Sequence, residues 1–517
     1  MIPAISPVRP VGLRCFKVAQ PEEPREGIAD ERPYERPTPG PRSGIGRAGA
    51  SLSPVDHPTP QERSARGKAA RATVPRSSHA GWDPPSDRRG PVDLLEEQAT
   101  SRVPELVPVR YGRMLASPFA FYRGAAYLMA ADLASTPRSG ISVQACGDAH
   151  LSNFGLFGSP ERELLFDIND FDETLPGPWV WDIKRLAASI AVAGRNNGFS
   201  DAERREVITA SAREYRTAMR EFASMRNLDV WYSRLQVREG LPQLSALLRK
   251  KGLKEAERLV EKARTKDSIQ AFDKLTHLVD GEPRIVSDPP LIVPVEEFLT
   301  ADQAATFLDG FHELVRTYRR SLLGDRRHLL EDFRFIHAAH KVVGVGSVGT
   351  RAWIILMLGR DGADPLFLQA KEAQASVLAP FVGKSRFTNQ GQRVVEGQRL
   401  MQAVSDIFLG WERAEGLSGG KRDFYIRQLR DWKGSWPPEA MDPRVMSVYG
   451  RMCARTLARA HARSGDRIAI AGYLGASDVF DRSIAGFAEA YADQNERDYQ
   501  ALKYAVASGR VVATTGV

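Results

Sequence analysis

Cysteine and long apolar runs are scarce in this chain. Its three cysteines, Cys15, Cys146 and Cys453, are far apart and form no Cys-x-x-Cys pair. This spacing excludes a disulfide scaffold and a zinc module, and it favours a reducing, cytoplasmic compartment. No apolar run approaches the ~18 residues that a membrane span requires, so we expect none. The N-terminal residues also lack the continuous apolar segment of a secretion signal.

The balance of charge does not single out a partner. Lys and Arg together number 72 against 64 Asp and Glu, which gives a net charge of +8. Part of this excess lies in the N-terminal tail, so it permits attraction to phosphates without requiring it. We therefore expect no nucleic-acid partner.

The chain of 517 residues is longer than one domain usually is, and its composition changes along its length. Residues 1–90 are rich in Pro, Arg, Gly and Ser and are predicted to be a disordered tail, because they cannot bury enough apolar surface to offset their ordering entropy. Residues 91–335 are predicted to form a helical catalytic lobe with a charged helical insert. A nucleotide-binding sheet lobe is expected over 336–435, and C-terminal helices that pack on the catalytic lobe over 436–517.

The apolar pattern changes its period at about residue 341. Three β-branched or apolar runs, KVVGVGSVG, TRAWIILML and LFLQAKEA, are separated by turns and predict an antiparallel meander. A helix is predicted at 392–408 and a further strand at 423–432. Earlier in the chain, Ser200 and Glu203 form a capping box that predicts the start of a helix.

Gly344, Gly346 and Gly349 form the pattern G-x-G-x-x-G. The pattern occurs often by chance, but here it lies between two predicted strands. Protein kinases lay such a hairpin over the phosphates of ATP, where the missing side chains let backbone N–H groups approach the anion. We therefore assign Gly344, Gly346, Ser347 and Gly349 to nucleotide binding. The alternative is a flexible hairpin without a ligand.

Lys371 lies on the third predicted strand, where kinases place the lysine that pairs with the α- and β-phosphates of ATP. A lysine of this kind needs a carboxylate on the next helix, and Glu396 is the candidate. Glu372 is nearer in sequence but should point to the opposite face, since adjacent strand residues alternate. The alternatives are a surface lysine and a solvent-facing glutamate.

The stretch QACGDAHLSNFGLF holds Asp148, His150 and Asn153 between apolar segments. Asp148 and Asn153 have the spacing of the kinase catalytic loop, in which the Asp accepts a hydroxyl proton and the Asn binds Mg²⁺. The segment LLFDINDFD then supplies Asp167, at the exit of a predicted strand, followed by Asp170 and Asp172. Carboxylate and amide oxygens are ligands that Mg²⁺ prefers, so Asn153, Asp167 and Asp170 are the candidate metal ligands.

These motifs resemble those of a known group of enzymes. The series GDAHLSN, LLFDINDF and WVWDIKRLA is similar to the HGD-x-H-x-x-N, IDW and DLA series of aminoglycoside phosphotransferases and choline-kinase-like enzymes. From about residue 95 to 510 the chain looks most like the bacterial DUF2252 family, whose members resemble the protein-kinase-like superfamily. The resemblance implies that Asp148 is the catalytic base and Asn153 and Asp167 are metal ligands. It also implies that His150 is the loop histidine and that Asp182 braces the loop.

Two features depart from the kinase pattern. Cys146 replaces the first histidine of the loop, and the catalytic loop precedes the glycine-rich loop, whereas kinases have the reverse order. A circular permutation explains this order and is physically accessible when the original termini lie close together. Asp466 in ARSGD is an alternative base, but Ala471, five positions later, cannot bind metal. The permuted arrangement predicts that residues 450–517 pack beside residues 110–155.

The expected fold is therefore α+β, a bilobal kinase-like fold that is circularly permuted, with a small antiparallel-sheet lobe and a larger helical lobe. The leading hypothesis for function is an ATP- and Mg²⁺-dependent phosphotransferase that acts on an unidentified hydroxyl acceptor. Nucleotidyl transfer, a metal-dependent phosphoesterase and a nucleotide-binding pseudokinase are the alternatives that the same residues allow.

Overall fold

The computed structural model describes residues 57–239, 249–297, 299–300, 310, 313–342, 344–346, 348–415, 420–429 and 431–516. Ser347 and most of the predicted tail lie outside these residues. Over the described residues the protein is mixed α+β, with one large antiparallel sheet, three small ones and an extensive helical part. None of the described helices combines the length and apolar character that crossing a bilayer requires.

The helices are labelled α1 to α16 in chain order: Pro60–Thr73, Pro91–Ala99, Val107–Met114, Pro118–Gly124, Ala126–Ala134, Trp179–Asn196, Asp201–Ser224, Asn227–Tyr232, Lys250–Arg264, Ser268–Leu275, Gly324–Glu331, Ala379–Val382, Gln390–Met401, Pro443–Ser464, Arg467–Leu474 and Val479–Ala507. The strands are labelled β1 to β12: Ser142–Ala145, Phe154–Gly158, Leu164–Ile168, Leu175–Pro178, Thr276–Val279, Glu282–Ile285, Ile292–Pro294, Arg334–Lys341, Ala352–Leu358, Pro365–Glu372, Gly410–Glu415 and Lys421–Gln428.

The large sheet has the strand order β11-β12-β10-β9-β8-β7, and every neighbouring pair is antiparallel. Strands β9 and β10 match the second and third runs of the predicted meander, but the first strand, β8, lies earlier than predicted and ends at Lys341, where the first run begins. The glycine-rich loop lies between β8 and β9. Strand β12 confirms the strand expected near residue 423. The helix predicted over 392–408 is α13, which ends earlier, at Met401.

Two small antiparallel sheets position the acidic loops. Strand β1 pairs with β4, and β2 pairs with β3. Because β1 leads into residues 146–153 and β3 leads into residues 169–174, the two pairings bring these loops side by side. The N–H of Asn169 donates to the carbonyl of Asn153 at 2.8 Å. The Thr174 hydroxyl donates to the carbonyl of Ala145 at 2.8 Å.

The C-terminal helices pack beside the segment that carries the first acidic loop, as predicted. The Tyr499 hydroxyl donates to the carbonyl of Leu115 at 2.9 Å. The Asn495 amide donates to the carbonyl of Pro118 at 3.1 Å. Helix α14 also contacts strands β1 and β3. The C-terminal helices therefore lie against residues 110–155.

The N-terminal boundary of order corrects the sequence analysis, which included residues 60–90 in a disordered tail. Helix α1 begins with a capping box made by Thr59 and Glu62. A Cβ atom at Gly67 would lie 1.9 Å from the carbonyl oxygen of Ala469, so glycine allows α1 to pack closely on α15. Arg63 forms an ion pair with Asp466 at 2.9 Å. Helix α1 buries little apolar surface, so ion pairs such as that of Arg63 contribute to its attachment. The sequence analysis had counted these arginines as charges of a disordered tail.

The charged insert is also less helical than predicted. Strands β5 and β6 form a hairpin at Asp280 and Gly281, whose φ angles of 51° and 81° suit the tight turn that Asp-Gly favours. Strand β7 pairs with β8 at the edge of the large sheet. The sheet therefore begins before residue 336, the predicted start of the sheet lobe.

Candidate functional site

A cavity of about 710 Å³ is lined by the glycine-rich loop, the two acidic loops and α2. Seven of the residues that the sequence singles out line it: Asp148, His150, Asn153, Asp170, Asp172, Gly344 and Gly346. Segments almost two hundred residues apart therefore share one cavity. Four other predicted site residues are not part of its lining: Asp167, Gly349, Lys371 and Glu396.

Asp182, on helix α6, braces the first acidic loop, as the resemblance implied. One carboxylate oxygen accepts the N–H of Cys146 at 2.6 Å, and the other accepts the N–H of Gly147 at 2.9 Å. The buried His461 ring contacts the same carboxylate at 3.0 Å, and Tyr215 contacts the other ring nitrogen at 2.8 Å. Gly147 has φ of 82°, a conformation that favours glycine.

Arg185, one turn further along α6, holds the predicted base. Its Nε donates to Oδ1 of Asp148 at 2.8 Å, and its planar group lies 3.9 Å from the Tyr122 ring centroid. Ser189, another turn along, accepts the N–H of Leu151 at 3.1 Å. One face of α6 thus contacts the acidic loop at three successive points. The i, i+3 spacing of Asp182 and Arg185 is visible in the sequence, but the sequence analysis did not use it.

The electrostatic environment of the loop suits a base. Burial raises the pKa of Asp148 to about 6, while the nearby Arg185 acts in the opposite direction. His150 lies 3.7 Å from the Asp148 carboxylate. Burial, reinforced by Arg185 and Arg123, lowers the pKa of His150 well below its ordinary value, so the ring is neutral.

Asp167 lies away from the cavity, which corrects its assignment as a metal ligand. It belongs to strand β3, is 1% exposed, and forms an ion pair with Arg459 at 2.6 Å. Its second oxygen accepts the N–H of Ala403 at 2.9 Å. Because the strand ends at Ile168, it is the carboxylates after the strand that reach the cavity. Asp167 therefore joins β3 to the helical part.

Lys371 meets the second acidic loop. Its ammonium forms an ion pair with Asp172 and lies 3.7 Å from Asp170. The Tyr425 hydroxyl donates to the other oxygen of Asp172 at 2.8 Å. Burial acts to lower the pKa of Lys371, but the two carboxylates outweigh it and raise the pKa. The same ammonium and Tyr425 overcome burial to lower the pKa of Asp172. Burial and the charge of Asp172 raise the pKa of Asp170.

Glu396 does not reach Lys371, which corrects its predicted role. Its carboxylate contacts Arg399 of the same helix at 3.3 Å and is 36% exposed. Arg393 is the residue by which α13 reaches the acidic loop, since it donates to the carbonyls of Asp172 and Thr174 at 2.8 and 2.7 Å. The position of α13 in the sequence was predictable, but the side of the helix that faces the acidic loop was not.

Glu372 pairs with Arg351 at 3.3 Å and with Arg422 at 3.1 Å. Glu372 is therefore not the partner of Lys371, as strand alternation predicts, but the expectation that it turns away from the site is wrong, because Glu372 also lines the cavity. The cavity also contains Glu173, which the sequence analysis did not single out. Burial raises the pKa of Glu173 to about 7, although the N–H of Val377 donates to its carboxylate at 2.7 Å.

The glycine-rich loop is held by residues from the helical part. Arg113 donates to the carbonyl of Gly344, and the N–H of Val103 donates to the carbonyl of Gly349 at 2.8 Å. Gly344 and Gly349 have φ of 68° and 89°. A Cβ atom at Gly349 would lie 3.0 Å from Cβ of Arg102. Glycine thus permits both the turn and its close packing.

The oxygen atoms around the cavity suit magnesium. Mg²⁺ usually takes one or two protein carboxylates together with phosphates and water. Asp170 and Asn153 both line the cavity, and the Asn153 amide nitrogen donates to the carbonyl of Asp148 at 2.7 Å, which leaves its amide oxygen for a cation. No group of three His, Cys, Asp or Glu ligands occurs in the described part of the chain. A magnesium ion shared with nucleotide phosphates needs fewer protein ligands.

Comparison with known proteins identifies a family. A family model described as an uncharacterized protein conserved in bacteria (DUF2252) matches residues 102–505. No curated protein and no solved structure gives a significant match. The matched range contains both acidic loops, the glycine-rich loop and Lys371, whereas helices α1 and α2 precede it.

Proposed function

The chain belongs to the DUF2252 family, and we propose that it is an ATP- and Mg²⁺-dependent phosphotransferase of kinase-like type. The observation that carries the proposal is the contact of Lys371 with Asp170 and Asp172, two carboxylates that line one cavity together with Gly344 and Asp148. A phosphate-binding lysine, acidic metal ligands and a glycine-rich loop are the parts that kinases use for phosphoryl transfer.

The fold supports a likeness to kinases at the level of element order, which is an argument by analogy. The glycine-rich loop joins the first two strands of a meander, the third strand bears Lys371, and helix α13 follows. The C-terminal helices pack beside the segment that carries Asp148. We therefore propose a kinase-like fold whose elements occur in a circularly permuted order.

In the proposed reaction the chain supplies position and charge. Backbone N–H groups of the glycine-rich loop and the Lys371 ammonium hold the nucleotide phosphates. Asp148 takes the proton of the acceptor hydroxyl as the new O–P bond forms and ADP leaves. Arg185 fixes the Asp148 carboxylate from behind, at 2.8 Å. Magnesium, held by Asn153 and Asp170, would neutralise charge on the phosphates.

The proposal is tested with ATP that carries the label at either the γ or the α position, incubated with Mg²⁺ and full-length protein. Phosphoryl transfer predicts that the γ label leaves the nucleotide and the α label remains on it. Asp148→Asn should abolish this turnover and retain nucleotide binding. Asp466→Asn is the matched control, since Asp466 caps α15 and lies outside the cavity lining. Movement of the α label off the nucleotide would contradict phosphoryl transfer.

A further inference from the structure

A second groove, of about 500 Å³, adjoins the cavity. Ser101 and Gln374 line both the groove and the cavity, and two hydrogen bonds join them. The Ser101 hydroxyl donates to the Gln374 amide oxygen at 3.0 Å, and the Gln374 amide donates to the Ser101 carbonyl at 3.0 Å. The mechanism proposed above makes no use of this groove.

Three guanidinium groups line the groove, those of Arg102, Arg351 and Arg422. Among its described lining residues, Glu372 is the one carboxylate, so the lining carries an excess of two positive charges. Arg351 and Arg422 each direct one Nη1 atom at Glu372, at 3.3 and 3.1 Å. Their side chains are 22% and 28% exposed, so solvent and solutes reach them.

Two Nε donors of the arginines that line this groove lack an acceptor. Each arginine has five N–H donors, and buried donors without a partner are unfavourable. The Nε atom of Arg422 is buried without a hydrogen-bond partner, and so is that of Arg102. Arg102 is only 7% exposed and uses Nη1 to bind the carbonyl of Val348. The partly exposed guanidinium groups of Arg351 and Arg422 are the donors that a multidentate anion in the groove would reach.

We infer that the groove is an anion site for the phosphate group of a ligand other than the nucleotide in the cavity. Guanidinium forks match the oxygen geometry of phosphate, and two excess positive charges match a dianion. The phosphate belongs either to a phosphorylated acceptor or to free inorganic phosphate that acts as an effector. The anion site itself does not depend on the proposed phosphoryl transfer, whereas the phosphorylated acceptor rests on the proposed function.

Calorimetric titration of the full chain with inorganic phosphate, with and without saturating AMPPNP and Mg²⁺, tests the site. Phosphate should bind in both conditions. The double variant Arg351→Gln/Arg422→Gln should lose about tenfold or more in phosphate affinity, as charged hydrogen bonds imply. Glu372→Gln should bind phosphate more tightly, since it removes the one opposing charge. Arg413→Gln, an exposed arginine of the same sheet paired with Asp423, is the matched control.

If the double variant fails to fold, Arg422→Lys replaces it, because it keeps the charge and should retain part of the affinity. Unchanged phosphate affinity in the arginine variants would overturn the inference. So would displacement of phosphate by AMPPNP, which would assign the arginines to the nucleotide. AMPPNP binding in the same variants reports on the proposed function separately and should be unaltered.

Phosphorylated alcohols such as glycerol 3-phosphate distinguish the two sources of the anion. Tighter binding than inorganic phosphate, together with increased ATP turnover, would identify an acceptor. A change in turnover caused by inorganic phosphate alone would identify an effector.

Discussion

The ammonium of Lys371 forms an ion pair with the carboxylate of Asp172, which lies 199 residues earlier in the chain. This contact joins the third strand of the large sheet to the loop that follows β3. Tyr425, on the neighbouring strand β12, donates to the same carboxylate at 2.8 Å. The contact fixes the relation between the sheet and the acidic loops around the cavity.

Lys371→Met should reduce turnover by about 10²- to 10³-fold, the range found when one preorganised charge-stabilising donor is removed. It should also weaken AMPPNP binding, because no ammonium faces the phosphates. Glu396→Gln should change neither quantity, since Glu396 contacts Arg399 instead. Steady-state kinetics and calorimetric titration measure both effects. Equal losses in the two variants would contradict this assignment.

The acidic limb of the pH profile should report Asp148. Burial raises its pKa to about 6, and a base works only when deprotonated, so kcat/KM should fall as the pH decreases through about 6. Arg185 lowers this pKa, so Arg185→Gln should move the limb to higher pH. Burial also raises the pKa of Glu173, to about 7. If the acidic limb of the pH profile moves in Glu173→Gln and does not move in Arg185→Gln, the titrating group is Glu173 and not Asp148.

Asp167→Asn and Asp170→Asn should separate a structural carboxylate from a metal ligand. Asp167 is buried against Arg459 at 2.6 Å, and removing one partner of a buried ion pair costs about 3–5 kcal/mol. We expect Asp167→Asn to lower the free energy of unfolding by about this amount without changing the Mg²⁺ concentration that gives half-maximal turnover. Asp170→Asn should raise that concentration. The reverse result would restore Asp167 as the ligand.

Neighbouring arginines test whether order begins before residue 90. Arg88 bridges Asp132 and Asp498, with 2.7 Å ion pairs to both carboxylates, and its side chain is 11% exposed. Arg88→Met leaves these carboxylates buried without their cation, and we expect it to cost about 3–5 kcal/mol in urea unfolding. Arg89 pairs with Glu97 at an exposed position, so Arg89→Gln should change stability by less than about 1 kcal/mol. If Arg88→Met changes the free energy of unfolding as little as Arg89→Gln does, Arg88 belongs to a disordered tail.

The sequence predicted best where a local pattern determines the structure. The capping box of Ser200 and Glu203 is present at the start of α7. The alternation of side chains along β10 was sufficient to predict that Lys371 and Glu372 do not pair with each other. The Asp182 brace followed from a motif, and its carboxylate does bind two loop N–H groups.

The errors arose where distant packing decides the outcome. Glu396 lies on the expected helix, but the rotation of that helix presents Arg393 to the acidic loop instead. Asp167 and Asp170 are three residues apart, and only the end of β3 decides which of them reaches the cavity. The missed hairpin at Asp280 and Gly281 is an exception, because Asp-Gly is a local turn signal that was available in the sequence.

A crystal structure of the full chain with AMPPNP and Mn²⁺ tests the central claim most directly, because manganese gives an anomalous signal at the metal position. We expect the triphosphate between Gly346 and Asp148, its oxygens near Lys371, and an anomalous peak at coordination distance from Asn153 and Asp170. Nucleotide bound outside this cavity, or a metal peak far from Asp170, would contradict the account.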